Sequence, residues 1–195
     1  MIEVNIELEE EIKTYQFPES WDDVTVEKFV NVYQLRSEQS NELEATVKLM
    51  SAISGIDIDT LYSMDIEDFK NLISNLKFIS TEVSKNDVEY VDVEGEQYYL
   101  YKDFNKLTTG EVITIETLLD SSNGDIYKVI PELLCLFLRK KKNDKYEKFT
   151  TDMLKRKDKF RQIPVTQIYH IFNFFLNGRN TSNDNTKDYT SEPFQ

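Results

Sequence analysis

Ile126, Val129, Ile130, Leu133, Leu134 and Phe137 recur at the three- and four-residue spacing of a single helix face, and Leu136 and Leu138 widen the stripe. A face this broad and apolar has to be covered, so the pattern predicts a central helix around which the rest of the chain packs. Pro131 lies inside the stripe. It kinks the helix unless the helix begins late enough to hold proline in its first turn, where no internal hydrogen bond is lost.

Near the start, Ile2, Val4, Ile6 and Leu8 alternate with Glu3, Asn5, Glu7 and Glu9, the period of a strand with one dry face and one wet face. A second strand over roughly Ile12 to Phe17 can return from it before Pro18 ends the pairing. The cover for its dry face is expected from a later hairpin or from another subunit. Three helices follow. Thr25 caps one bearing Val26, Phe29, Val30 and Tyr33; a second carries Leu43, Val47, Met50 and Ile53 and stops at Gly55; Asp65 caps a third with Ile66, Phe69, Ile73 and Leu76. Asp57/Asp59 and Asp65/Asp68 read as helix caps, because no Asp-x-Asp-x-Asp-Gly calcium loop is present.

Val88 to Tyr101 predicts a hairpin turning at Glu94-Gly95-Glu96, and Thr108 with Glu111 has capping-box spacing. Thr150 or Thr151 is expected to cap a basic helix to about Arg161, and Pro164 to open a last helix with Val165, Ile168, Phe172 and Phe175 inward. The predicted fold class is α+β: a mainly helical domain over 18–178 with a hairpin inserted at 88–101, an N-terminal strand pair or arm over 1–17, and a polar tail over 179–195. That tail is Asn, Thr, Ser and Asp almost to its end, at Phe194, with too little apolar surface to order itself.

Catalytic chemistry is poorly supplied. The one histidine, His170, sits among aromatics from Tyr169 to Phe175, and the one cysteine, Cys135, lies in the central apolar run. Neither has a partner nearby for a nucleophilic dyad or a zinc site. The five glycines stand singly at turns or caps, so no phosphate loop forms. No enzyme activity, metal or cofactor is expected, and His170 reads as a packing residue. No apolar run approaches the ~20 residues of a membrane helix. Met1-Ile2-Glu3-Val4 has no basic or apolar leader pattern, which with the single cysteine fits a reducing cytoplasm.

Charge is unevenly distributed along the chain. Residues 1–104 hold 24 Asp/Glu against 8 Lys/Arg, net −16, whereas residues 105–195 hold 12 against 15, net +3. Arg139 to Arg161 alone carries 11 Lys/Arg against 4 Asp/Glu. A basic strip in a chain of net charge −13 is repelled by nucleic acid as a whole, so specific nucleic-acid binding is not expected. The strip reads first as a solvated helix end and loop, and its functional readings are a phosphate-binding strip or a patch that meets the acidic half of a neighbouring copy. The strip's Arg139, Lys140, Lys141, Lys142, Lys155, Arg156 and Lys157 are candidate contact residues. Tyr99 and Tyr101, on one face of the predicted hairpin, join them because tyrosine is enriched at interfaces, and Phe194 does so as the apolar end of the tail.

The order of elements carries a resemblance. Pro18-Glu19-Ser20-Trp21-Asp22-Asp23-Val24-Thr25 leads into helices and a hairpin. Leu107-Thr108-Thr109-Gly110-Glu111, Leu133-Leu134-Cys135, Phe160-Arg161, Pro164 and Phe174-Phe175 then follow. This arrangement, over most of residues 15–178, resembles the small α+β proteins encoded among the head-to-tail and tail genes of tailed bacteriophages. Those include ring proteins of crAss-like phages and tail-assembly chaperones. The resemblance implies a structural subunit of a virion neck or tail, forming an oligomeric ring in the head-to-tail connection. Its partners would be copies of itself and portal, neighbouring ring or tail proteins, assembled in the bacterial cytoplasm and kept in the virion. The alternative it implies is a chaperone that binds a tape-measure protein. No active-site residue is implied.

Overall fold

The computed structural model describes residues 1–8, 11–35, 41–83 and 88–169. Strands β1 (Ile2–Leu8) and β2 (Glu11–Phe17) pair antiparallel with Ile2 opposite Phe17 and Ile6 opposite Lys13. The dry face of the pair is covered from within the chain. Ile6 and Phe17 pack with Val47, Met50, Ile53, Phe69 and Leu72 from helices α2 (Glu42–Ser54) and α4 (Ile66–Ser74). The later hairpin lies elsewhere.

Helix α1 (Val26–Leu35) is buried on two sides, and this joins the halves of the molecule. Val26, Phe29 and Val30 enter a core cluster with the central helix, while Val32 enters the strand-pair cluster. Helix α2 begins where the Asn41 side chain accepts the Glu44 amide at 2.8 Å and ends at Gly55, whose φ of 79° a side chain would resist. The sequence does not announce α3 (Ile58–Ser63), which is short; Asp57 caps it, accepting from the Thr60 amide at 2.8 Å and the Thr60 hydroxyl at 2.7 Å. Asp65 holds the cap position of α4 without a side-chain capping bond. Leu43 and Ile66, expected inward, are exposed: each lies in the first turn of its helix, and burial begins only at Val47 in α2 and at Phe69 in α4.

The predicted hairpin is present as β3 (Tyr90–Val93) and β4 (Glu96–Leu100), turning through Glu94 and Gly95, both with positive φ. It gains a third strand. Helix α5 (Thr109–Ser121) runs from a full Thr108/Glu111 capping box. After a 3-10 turn over Ile126–Val129, helix α6 (Ile130–Phe137) starts late enough to hold Pro131 in its first turn. Then β5 (Leu138–Arg139) leaves α6 directly and pairs with β4, Tyr99 opposite Arg139. Ile130, Leu134, Leu136, Phe137 and Leu138 are all essentially inaccessible to solvent and lie in the larger core cluster, whereas Ile126, Val129 and Leu133 of the same stripe form a smaller cluster against Ile115, Leu118 and Leu119 of α5.

One expectation for the basic segment is corrected, and one element in it is new. Residues after β5 form a small hairpin, β6 (Lys141–Lys142) with β7 (Lys145–Tyr146). The expected α-helix from Thr150 or Thr151 to Arg161 is instead a 3-10 segment, Thr151–Arg156, and one α-turn, α7 (Lys157–Phe160). The ion pair Asp152–Lys155 within the 3-10 segment is three residues apart, the spacing that eclipses side chains in a 3-10 helix. Pro164 precedes the last helix and bridges to Thr25, and residues 165–169 begin that helix. His170 and its aromatic neighbours, and the tail over 179–195, lie outside the described residues. No helix among those described is long and apolar enough to cross a membrane.

Candidate assembly surface

Arg139 is the one basic candidate that the fold withdraws from the surface. It is 4% exposed, because β5 carries it straight from the core helix into the β4 edge. Its Nε donates to the Leu136 carbonyl at 2.8 Å and its terminal nitrogen pairs with Glu111, while the guanidinium plane lies 3.9 Å from the centre of the Tyr101 ring. Glu111, 1% exposed, is thus more than a cap. One oxygen accepts from the Thr108 amide at 2.6 Å and the Thr108 hydroxyl at 2.7 Å, and the other holds Arg139. Burial pushes its pKa up, but those hydrogen bonds and the Arg139 charge outweigh burial and leave it below the ordinary value.

Most other charges of the basic strip are neutralised by the chain itself. Lys140 pairs with Glu96, Arg156 makes a two-pronged contact with Glu147, Lys157 reaches Glu132 at 3.2 Å and Lys155 pairs with Asp152. The Lys140 ammonium, with help from the Tyr98 hydroxyl, lowers the Glu96 carboxyl to about 2. Tyr98 itself points inward and packs edge-on to Phe160, as strand alternation requires. Tyr99 and Tyr101 take the other face, both half-buried: Tyr99 against Tyr90, and Tyr101 edge-on to Tyr146.

Beyond these pairs stands a cationic finger. Asn143 and Asp144, with φ of 50° and 59°, form a two-residue turn of the type that matches strand twist, and this fixes the β6–β7 hairpin. Lys142 and Lys145 face each other across it and are exposed, as is Lys148. Lys141 is clamped at the base, 4.4 Å from the Tyr99 ring centre and 4.9 Å from that of Tyr146. The Tyr146 hydroxyl donates to the Leu100 carbonyl at 2.9 Å, securing the finger to the three-stranded sheet. Asn-Asp between lysine-rich flanks was the local signal for this hairpin; the charge run obscures it.

On the other core cluster lies an open groove of about 620 Å3 between β1 and α4. Four consecutive residues of β1, Val4 to Glu7, line it together with Ile12 of β2. Among the described residues β1 pairs with β2 alone. Its lining mixes apolar Val4, Ile6 and Leu72 with the acids Glu7, Asp65 and Asp68 and with Asn5, Asn71 and Asn75. Ile12, 64% exposed, extends the apolar surface at one end. The sequence contains these acids but gives no sign that β1 and α4 border one cleft.

Cys135 is buried beside α7, and burial pushes its thiol up to about 12, so it is held as a neutral packing group. Among the described residues no three His, Cys, Asp or Glu side chains are grouped to hold a metal ion. Phe194 lies outside the described residues. Comparison of the chain with protein-family models, with curated proteins and with solved structures gives no match.

Proposed function

We propose that this chain is a structural subunit of a tailed-bacteriophage neck or tail, assembled with copies of itself into a ring in the head-to-tail connection. The phage assignment rests on the sequence resemblance. The assembly role rests on one structural observation: the chain offers two unlike and complementary surfaces, a groove lined in part by acids on one core cluster and a cationic finger on the other. Closed rings use heterologous contacts, in which one face of each copy meets a different face of the next, and two unlike surfaces on one chain supply such a pair. Portal, neighbouring ring or tail proteins are the further partners of this reading, and the virion its location.

Mass spectrometry of purified phage particles tests it. A structural subunit is present in stoichiometric amount in mature virions. A chain found in infected cells but missing from particles would instead be a tail-assembly chaperone, and the ring reading would fail.

A further inference from the structure

We propose that the β6–β7 finger of one copy seats in the β1–α4 groove of the next, so that the assembly repeats through a single finger-in-groove contact. This rests on the ring reading above and names its partner surface: a second copy of this chain.

Three features carry the proposal. The groove has the size of a binding cleft, within the roughly 300–1,000 Å3 that such sites span. Among the described residues β1, which lines the groove from Val4 to Glu7, pairs with β2 alone, and a strand edge without a neighbour is a template for an added strand. Glu7, exposed on β1, makes that strand selective, since two acidic β1 strands repel each other while a lysine-bearing strand is attracted. The finger supplies such a strand. Its turn is fixed by Asn143 and Asp144, so little conformational freedom is lost on docking, and Lys142 and Lys145 sit at its tip where Glu7, Asp65 and Asp68 would meet them.

The clustering of the core adds direction. Finger and groove are anchored on different core clusters, so the contact joins unlike faces and propagates head to tail. Neither surface depends on the charges the chain uses internally. Arg139, Lys140, Arg156 and Lys157 are committed to Glu111, Glu96, Glu147 and Glu132, leaving Lys142 and Lys145 to meet a partner.

The test is a charge swap in the full chain, read by sedimentation velocity, with circular dichroism confirming that each variant is folded. Lys142→Glu with Lys145→Glu reverses the finger, and Glu7→Lys with Asp68→Lys reverses the groove. At about 0.05 M salt each pair alone is expected to weaken self-association at least about tenfold, with a smaller effect at about 0.5 M, where charges are screened over a few ångströms. All four substitutions together are expected to restore association to within about threefold of the original, because attraction returns with its sign exchanged. An oligomer indifferent to either reversal, or one that the fourfold variant fails to recover, overturns the finger-in-groove contact while leaving the ring reading intact. A chain that is monomeric before any substitution overturns both.

Discussion

Glu111 and Arg139 form a buried ion pair between the first turn of α5 and the strand that continues α6, so one carboxylate both starts a helix and fixes the register of the central sheet. Removing one partner strands the other charge in the interior. Glu111→Gln is therefore expected to destabilise the protein by about 3–5 kcal/mol, the cost typical of a broken buried pair. Replacing both, as Glu111→Gln with Arg139→Met, is expected to cost less than Glu111→Gln alone. Urea denaturation of Glu111→Gln, Arg139→Met and the double variant measures both effects; a double loss equal to the sum of the two single losses would show that the pair is not coupled.

Acid sensitivity follows from the carboxylates. Glu96, held by Lys140 and Tyr98, has its pKa lowered to about 2, and Glu111 and Glu147 are also lowered, their partners outweighing burial. A depressed carboxyl binds its proton less readily folded than unfolded, so its stabilisation is complete above the unfolded value, near 4.5, and is lost as pH falls towards 2. Stability is expected to be flat with respect to these groups near neutrality and to drop below about pH 4.5. Glu96→Gln should reduce the slope of unfolding free energy against pH in that window, and an unchanged slope would contradict the assignment.

Phe137 is inaccessible to solvent at the end of α6, among residues of the larger core cluster. Phe137→Ala is expected to lower unfolding free energy by about 3–5 kcal/mol, a large part of the stability of a domain this size. Chemical denaturation of the variant measures it directly, and a midpoint matching the parent would make α6 peripheral.

The finger depends on a tight turn rather than on the core. Asp144 sits at a φ of 59°, a region glycine enters without steric cost, so Asp144→Gly is expected to stabilise the hairpin slightly, by up to about 1 kcal/mol. Asp144→Val, a branched side chain in the same conformation, should loosen it, and hydrogen exchange at the Lys141–Tyr146 amides distinguishes the two.

Residue periodicity alone makes the α+β class, the strand pair, the Glu94-Gly95 hairpin, the Thr108 cap and the burial of the Leu133 to Phe137 stripe legible, because each depends on neighbours within one or two turns of chain. What it misses depends on distant positions. Leu138 and Arg139 continue the apolar and basic patterns of their flanks, yet the edge of β4 draws them into a strand. The pairing of Glu111 with Arg139 spans 28 residues, and local spacing reveals only the cap. The basic strip reads as one solvated face, but Glu96, Glu132 and Glu147 come back across the fold to neutralise much of it. The groove is legible on neither of its walls, since it exists only where β1 passes α4.

Self-association of this chain, proposed above, is read straight from its particle mass in solution. Light scattering coupled to size exclusion, on the full 23.0 kDa chain at low salt, is predicted to give a concentration-dependent series rising to a discrete species larger than a dimer, as a head-to-tail contact closes into a ring. A single 23.0 kDa species at every concentration and salt would rule out self-assembly.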